Sequence, residues 1–188
     1  MAKSQLTSIP NLITIARIVA IPVIVWLIMT GDITLRIAAL VLYVVAAASD
    51  WLDGYLARKW NQSSPLGRML DPIADKLLVG LVIGTLAWDG SFSGWDMVPV
   101  LAILFREFFI SGLREFLGNA EVVLKVSQLA KWKTTVQLIA LAIVLVERIV
   151  PGFGLVSDVV LWLAGILTVW TGTQYLIASW PHLSDDTP

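Results

Sequence analysis

The sequence predicts an all-α polytopic membrane protein, a bundle of six transmembrane helices in a single domain that spans residues 1–188. Of the 188 residues, 57% are hydrophobic and 14% are charged, and the mean hydropathy is +0.82. A soluble domain carries about 25% charged residues. Apolar runs long enough to cross a bilayer alternate with short polar breaks along the chain. Little sequence remains for a soluble domain.

Breaks that are typical of turns separate the six predicted spans, and most of them contain glycine or proline. The spans run from about residue 11 to 29, 34 to 60, 66 to 88, 98 to 117, 133 to 150 and 155 to 179. We expect residues 1–10 to form a short cytoplasmic N-terminal segment and residues 120–133 to form a loop or a short surface helix. Residues 181–188 are expected to form a polar tail.

The distribution of basic and aromatic residues predicts how the spans are oriented. If the N-terminus is cytoplasmic, every Lys and Arg except Arg36 and Arg148 falls in a cytoplasmic segment or at an adjoining helix end. Because cytoplasmic loops are enriched in Lys and Arg, we expect both termini in the cytoplasm. Tryptophans near the ends of apolar runs fit a position at the bilayer interface. These are Trp26, Trp51, Trp60, Trp88, Trp95, Trp132 and Trp180.

Four acidic residues stand out against this apolar background, at the end of the second span and the start of the third. At about 100° per residue, the acids and several small residues share one face of each helix. On one helix these are Asp50, Asp53, Gly54 and Ala57, and on the next they are Gly67, Asp71 and Asp75. Two such faces brought together would form a pocket of carboxylates. Oxygen ligands of this kind suit Mg²⁺ or Mn²⁺ ions that in turn hold phosphate oxygens, so we predict a two-metal site.

Two other interpretations compete with a metal site. In the first, the acids form structural ion pairs with the nearby basic residues Arg58, Arg68, Lys76 and Arg106. In the second, the acids line the path of a cation channel or transporter. The small residues favour the metal site, since a ligand approaches a helix backbone only where no side chain intervenes. A transport path also needs polar groups at several depths, whereas these acids cluster near one face. Without cysteine, the chain has no thiol nucleophile and no thiolate metal site.

A second group of polar residues lies downstream and is rich in cations. Its members are Arg106, Ser111, Arg114, Lys131 and Lys133. Such a group suits an acceptor that carries its own phosphate, although topology signals or lipid headgroup anchors are the alternative reading. In the first span Asn11, Thr14 and Arg17 recur at i, i+3 and i+6 and could face the acidic pocket. Capping and helix packing also explain Asn11 and Thr14.

The acidic region resembles the signature of the CDP-alcohol phosphotransferases, which are six-helix membrane enzymes. The pattern is Asp50-x-x-Asp53-Gly54-x-x-Ala57-Arg58, eight further residues, and then Gly67-x-x-x-Asp71-x-x-x-Asp75, and all eight family positions are present. Members transfer a phosphatidyl or related group from a CDP-linked donor to an alcohol and release CMP. The resemblance implies that Asp50, Asp53, Asp71 and Asp75 bind Mg²⁺ or Mn²⁺ and that Asp75 is also the catalytic base. It places Gly54, Ala57, Arg58 and Gly67 at the CDP donor.

Three further runs are similar to those of bacterial family members that use sn-glycerol 3-phosphate as the acceptor. They are Arg106-Glu107 with Ser111-x-Leu113-Arg114-Glu115, then Ala130-Lys131-x-Lys133-Thr134-x-x-Gln137, and Pro10-Asn11-x-x-Thr14-x-x-Arg17. The resemblance implies CDP-diacylglycerol as the donor, a role in phosphatidylglycerol and cardiolipin biosynthesis, and a homodimer in the bacterial cytoplasmic (inner) membrane. Relatives that use inositol phosphate, serine or phosphatidylglycerol remain the alternative. Membrane lipids are expected partners, and nucleic acid is not.

Overall fold

The computed structural model describes residues 8–60, 64–119 and 128–183, and this part of the chain forms six long α-helices and no strand. The helices are α1 (Ile9–Met29), α2 (Ile33–Lys59), α3 (Pro65–Trp88), α4 (Met97–Asn119), α5 (Gln128–Glu147) and α6 (Gly154–Ser179), followed by a 3₁₀ turn, Trp180–His182. The shortest has 20 residues, which at 1.5 Å per residue reaches across a hydrocarbon core of about 30 Å. The predicted all-α class is confirmed.

Apolar surface covers much of the outside of these helices. Within the described residues, three segments are both long and apolar enough to cross a membrane, Ile9–Met29, Ile33–Leu56 and Gly154–His182. Each tryptophan predicted at an interface exposes at least 43% of its surface: Trp26, Trp51, Trp60, Trp88, Trp95, Trp132 and Trp180. Because a soluble protein rarely exposes so many large apolar side chains, these surfaces identify a membrane-type protein.

The helix ends follow from local sequence, with one exception. Ser64 caps α3 by accepting a hydrogen bond from the backbone N–H of Gly67 at 2.9 Å, and Pro65 occupies the first helical position. The expected start of the fifth helix near residue 133 is wrong, since α5 begins at Gln128. The first turn of α5 was not predicted because its residues are polar. An exposed helical turn accommodates polar side chains and therefore shows no apolar periodicity.

The chain divides into two compact units, Met1–Ser91 with Val144–Phe153, and Phe92–Ile143 with Gly154–Pro188. In the first unit, α1 packs against both α2 and α3. Its buried side chains include Ile21, Ile24 and Ile28 of α1, Tyr43 of α2, and Val82, Ile83 and Leu86 of α3. This packing places one face of α1 against the two helices that carry the acidic motif. The single-domain organisation stays a prediction.

In the second unit, α4 packs against α6 at a close approach. A Cβ atom added to Gly165 would lie 2.6 Å from Cβ of Pro99, so only glycine fits there. Further along α4, Ile110, Leu113 and Leu117 form a buried cluster against Tyr175 and Leu176. The cluster fixes the part of α4 that carries the downstream cations.

The two basic residues that the topology prediction leaves outside the cytoplasm meet at one end of the first unit. Arg36 donates from Nη1 to Oδ2 of Asp89 at 2.5 Å and from Nη2 to Oγ of Ser91 at 2.8 Å. Its Nε donates to the carbonyl oxygen of Leu145 at 3.1 Å. Arg148 donates to the carbonyl oxygen of Asp89 at 2.6 Å. Both cations therefore hold helix ends together at this end of the unit.

Candidate functional site

The centre of the acidic cluster is occupied by Arg17 of α1, whose side chain is 0% exposed. Its Nη1 atom lies 2.8 Å from Oδ1 of Asp50 and 3.1 Å from Oδ1 of Asp75, and its Nη2 atom lies 2.5 Å from Oδ2 of Asp53. Nε donates to Oγ of Ser49 at 3.1 Å. One guanidinium therefore joins acids from α2 and α3.

The fourth acid reaches the cluster through Thr14, one helical turn before Arg17. The Thr14 hydroxyl lies 3.0 Å from Oδ1 of Asp71 and 3.2 Å from Oδ2 of Asp53. It also lies 3.1 Å from the carbonyl oxygen of Pro10. A hydroxyl has one proton, so it donates to one of these oxygens at a time. The predicted convergence of the two acidic faces is confirmed, and α1 is the element on which they converge.

The cluster has a buried side and an open side. The side chain of Asp53 is 4% exposed, whereas those of Asp50 and Asp75 are 45% and 50% exposed. A buried carboxylate is costly unless it is paired and hydrogen-bonded, and Asp53 meets both conditions through Arg17 and Thr14. A ligand entering from outside would therefore meet Asp50 and Asp75 first.

The ion pairs proposed as the structural alternative do not form among the described side chains. Arg68 is exposed, Lys76 donates to the carbonyl oxygen of Pro72 at 3.0 Å, and Arg106 pairs with Glu107. The acids pair instead with Arg17, which that alternative did not include. Arg17 appeared in the sequence only as one of three residues that could turn toward the pocket.

Asn11 joins α1 to the start of α3. Its side chain exchanges hydrogen bonds with Oγ of Ser64 at 2.9 and 3.0 Å, and both residues are buried. A Cβ atom added to Gly67 would lie 2.8 Å from Oδ1 of Asn11. The space beside Gly67 is therefore filled by the Asn11 side chain. The assignment of Gly67 to the CDP donor stays a prediction.

The donor set suits a hard dication, because it consists of carboxylate oxygens and two of them are accessible from outside. As arranged, the carboxylates surround a guanidinium, and no group of three or more His, Cys, Asp or Glu side chains in the described ranges is disposed around one ion. The residues therefore fit Mg²⁺ or Mn²⁺ in their chemistry. Metal binding would require part of the Arg17 guanidinium to move away from the carboxylates.

Cations of the predicted acceptor group come together in the second unit. Glu107 pairs with Lys133 and, at 3.3 Å, with Nη1 of Arg106. The Lys133 side chain is 1% exposed and that of Arg106 is 11% exposed, so neither is placed as a headgroup anchor. Nε of Arg106 is buried without a hydrogen-bond partner among the described residues. It is a free donor for a ligand.

The other predicted acceptor residues are placed less closely. The exposed Arg114 lies with its guanidinium carbon 5.2 Å from the ring centre of Tyr175, a cation–π geometry that orients it. Ser111 is half-buried on the same helix. The side chains of Ala57, Arg58 and Lys131 lie outside the described residues, and Gly54 is half-buried. Their predicted roles stay predictions.

Sequence reasoning missed Ser49, Ser64 and Tyr175, which support the site residues. Ser64 had a signal, since a serine followed by proline at the start of an apolar run is a typical helix N-cap. Ser49 directly precedes the acidic motif, but nothing in its spacing indicates that it accepts from Arg17. Tyr175 lies in the last helix and had no signal. Such contacts depend on how distant helices pack.

Fold and site together define a polytopic helical membrane protein with a carboxylate cluster that is open on one side. The sequence profile of the CDP-alcohol phosphatidyltransferase family matches residues 7–170. The chain belongs to this family.

Similar proteins extend the comparison over nearly the whole chain. A Rickettsia bellii protein named CDP-diacylglycerol–glycerol-3-phosphate 3-phosphatidyltransferase is 46% identical over 175 residues, covering 91% of this chain and 94% of that protein. A Pseudomonas fluorescens protein with the same name is 39% identical over 185 residues, covering 95% and 93%. A third, from Shigella flexneri, is 38% identical over 183 residues, covering 95% and 98%.

Proposed function

We propose that the protein is a phosphatidylglycerophosphate synthase, a CDP-diacylglycerol–glycerol-3-phosphate 3-phosphatidyltransferase. It transfers the phosphatidyl group of CDP-diacylglycerol to sn-glycerol 3-phosphate and releases CMP, in the biosynthesis of phosphatidylglycerol and cardiolipin. The observation that carries the proposal is the gathering of all four motif carboxylates around α1. Relatives named for this activity match 91% and 95% of the chain, which supports the choice of substrates.

The reaction forms one bond from oxygen to phosphorus and breaks another. A hydroxyl oxygen of glycerol 3-phosphate attacks the lipid-side phosphorus of the diphosphate, and the bond to the CMP oxygen breaks. The hydroxyl must lose its proton, and CMP leaves with the electron pair. Asp75 is suited to accept this proton, because its side chain is 50% exposed on the open side of the cluster. Asp53 is buried, and it holds Arg17 and Thr14 in place in addition to its assignment as a metal ligand.

The diphosphate carries negative charge that the acidic cluster by itself would repel. We assign Mg²⁺ or Mn²⁺, in a two-metal site, to Asp50, Asp53, Asp71 and Asp75. Bound there, the ions would supply charge neutralisation for the phosphate oxygens and stabilisation of the leaving group. Gly54, Ala57, Arg58 and Gly67 are assigned to the CDP donor by their positions in the family motif.

The phosphate of the acceptor is assigned to Arg106, Ser111, Arg114, Lys131 and Lys133. Arginine binds phosphate oxygens in a forked geometry and lysine binds them as a point charge. The unpartnered Nε of Arg106 and the buried Lys133 support this assignment. An uncharged acceptor would leave these two cations with Glu107 as their counter-charge among the described residues, which disfavours such an acceptor.

We place the enzyme in the bacterial cytoplasmic membrane, with both termini and the acidic cluster toward the cytoplasm. The pairing of Arg36 and Arg148 with the same residue at one end of the first unit supports this orientation, since these are the two basic residues assigned to the other side. A homodimer is proposed from the family resemblance.

Purified full-length protein in detergent tests the proposal. It would be supplied with CDP-diacylglycerol, Mg²⁺ and one acceptor at a time from glycerol 3-phosphate, inositol phosphate, serine and phosphatidylglycerol. CMP release with glycerol 3-phosphate alone, abolished by a chelator and restored by Mg²⁺ or Mn²⁺, is expected. Preference for another acceptor would overturn the substrate assignment. Dication flux in proteoliposomes without CMP release would indicate a channel or transporter instead.

A further inference from the structure

The hydrogen bonds of Arg17 point to a role beyond holding helices together. We propose that its guanidinium and a bound dication compete for Asp50 and Asp75. Without metal, Arg17 holds the carboxylates together. When the metal binds, Nη1 of Arg17 loses its contacts with Asp50 and Asp75. The inference rests on the proposed metal requirement and names a positioning residue for the same site.

The competition follows from which atoms are shared. A single nitrogen, Nη1, contacts Oδ1 of both Asp50 and Asp75, at 2.8 and 3.1 Å. Asp50 and Asp75 are two of the residues that would hold the dication, through the carboxylates that Nη1 contacts. The ion and Nη1 could not both be held by these two carboxylates, because their positive charges would repel each other. One of the two must leave.

The other contacts of Arg17 show which part of its guanidinium can move away from the carboxylates. Nε is held by Oγ of Ser49 at 3.1 Å, and Nη2 is held by the buried Asp53 at 2.5 Å. Neither contact involves Nη1. The partners of Nη1 are about half exposed, whereas Asp53 is 4% exposed. A small reorientation of the guanidinium could therefore free Asp50 and Asp75 while the buried anchors persist.

The charge of the cluster explains why a dication would win this competition. One guanidinium faces the four acids of the motif, and no second cation among the described side chains forms an ion pair with them. Most of the negative charge of these carboxylates is therefore left without a partner. A dication carries twice the positive charge of the Arg17 guanidinium. It would bind on the open side of the cluster, where water and substrate have access.

Manganese affinity measures the competition without any substrate. Purified full-length protein and its Arg17→Gln variant would be titrated with Mn²⁺, with free ion followed by electron paramagnetic resonance and thermal unfolding recorded with and without Mn²⁺. In the wild type, Mn²⁺ binding must break a hydrogen bond between Arg17 and a charged carboxylate, and the variant lacks this hydrogen bond. We therefore expect the variant to bind Mn²⁺ about 10-fold more tightly. It should also unfold at a lower temperature without metal, and Mn²⁺ should raise that temperature more than in the wild type.

The chain offers a matched control in Arg36→Gln. Arg36 is also a buried guanidinium paired with an aspartate, Asp89, but it precedes Asp50 by fourteen residues on α2, about 21 Å along the helix. This variant should lower the unfolding temperature and leave Mn²⁺ affinity unchanged. If Arg17→Gln does not fold, Arg17→Lys replaces it, since a lysine amine cannot contact three carboxylates in a fork. Its Mn²⁺ affinity should also exceed that of the wild type.

Each outcome bears on a different statement. Equal or weaker Mn²⁺ binding by Arg17→Gln, or by Arg17→Lys in its place, would overturn the competition while leaving the metal requirement standing. A wild-type protein that binds no Mn²⁺ would overturn the metal requirement and the competition with it. Tighter Mn²⁺ binding by the variant, together with no CMP release by the wild-type protein with any acceptor, would support the competition and overturn the proposed transferase activity.

Discussion

Nη2 of Arg17 lies 2.5 Å from Oδ2 of Asp53, and both side chains are almost entirely withdrawn from the surface. Moving two charges out of water costs free energy, and only a close ion pair with further hydrogen bonds offsets that cost. This pair connects α1 to α2 at the base of the cluster. Asp53 is therefore the buried acid that anchors Arg17, whereas Asp50 and Asp75 lie on the open side of the cluster.

Asp53→Asn is expected to lower the stability of the protein as well as its activity. The substitution leaves a buried guanidinium without its closest carboxylate, and breaking a buried pair in this way costs about 3 kcal/mol. Thermal unfolding of the purified variant, compared with Asp50→Asn at a 45% exposed side chain, measures the difference. Equal unfolding temperatures for the two variants would contradict the anchoring role of Asp53.

Asp75→Asn is expected to abolish turnover while the fold persists. A general base contributes about 10²- to 10⁴-fold to a rate, and the half-exposed side chain of Asp75 makes only one ion pair in the described structure. CMP release and thermal unfolding would be measured together. Asp158→Asn, at an exposed position in α6, serves as the control and should change neither. Near-normal activity of Asp75→Asn would make the base assignment wrong.

Lys133→Met is expected to raise KM for glycerol 3-phosphate by about 10-fold or more, because a hydrogen bond to a charged group contributes about 1.5–3 kcal/mol. The KM for CDP-diacylglycerol should stay nearly constant, which makes the donor an internal control in the same variant. Glu107 retains Arg106 as a partner, so the fold should survive. A change confined to the donor KM would remove Lys133 from the acceptor site.

Gly67→Ala tests whether Asn11 fills the space beside this glycine. The added Cβ atom would lie 2.8 Å from Oδ1 of Asn11 and 3.3 Å from Oγ of Ser64, so the bonded pair must shift and the unfolding temperature should fall. In an Asn11→Ala background the nearer of these two contacts is gone, and the same substitution should cost less. Additive effects in this double-mutant cycle would show that the two positions act independently.

Helix positions and the acidic faces were accessible from sequence because they depend on local patterns. Turn residues mark most helix ends, and spacing along a helix places Asp50 and Asp53 on one face and Asp71 and Asp75 on another. The start of α5 at Gln128 escaped because its first turn carries polar residues, which an exposed helix end permits. Local pattern therefore predicts elements and faces well, and polar helix starts poorly.

Contacts between distant helices were the part that spacing could not predict. Arg17 lies 33 to 58 residues from its carboxylate partners. Its periodicity with Asn11 and Thr14 indicated a face that could turn toward the acids, but not which acids it contacts. Glu107 pairs with its neighbour in sequence, Arg106, but its other partner, Lys133, lies on a different helix. Which cation meets which acid is decided by packing, because several pairings satisfy the same spacing.

Isotope labelling of the acceptor shows which phosphorus atom is attacked. Full-length protein would receive CDP-diacylglycerol, Mg²⁺ and glycerol 3-phosphate labelled with ¹⁸O in its attacking hydroxyl, and the products would be weighed by mass spectrometry. Attack at the lipid-side phosphorus predicts labelled phosphatidylglycerophosphate and unlabelled CMP. Phosphatidic acid with a labelled cytidine nucleotide, or the absence of any lipid product, would contradict the account.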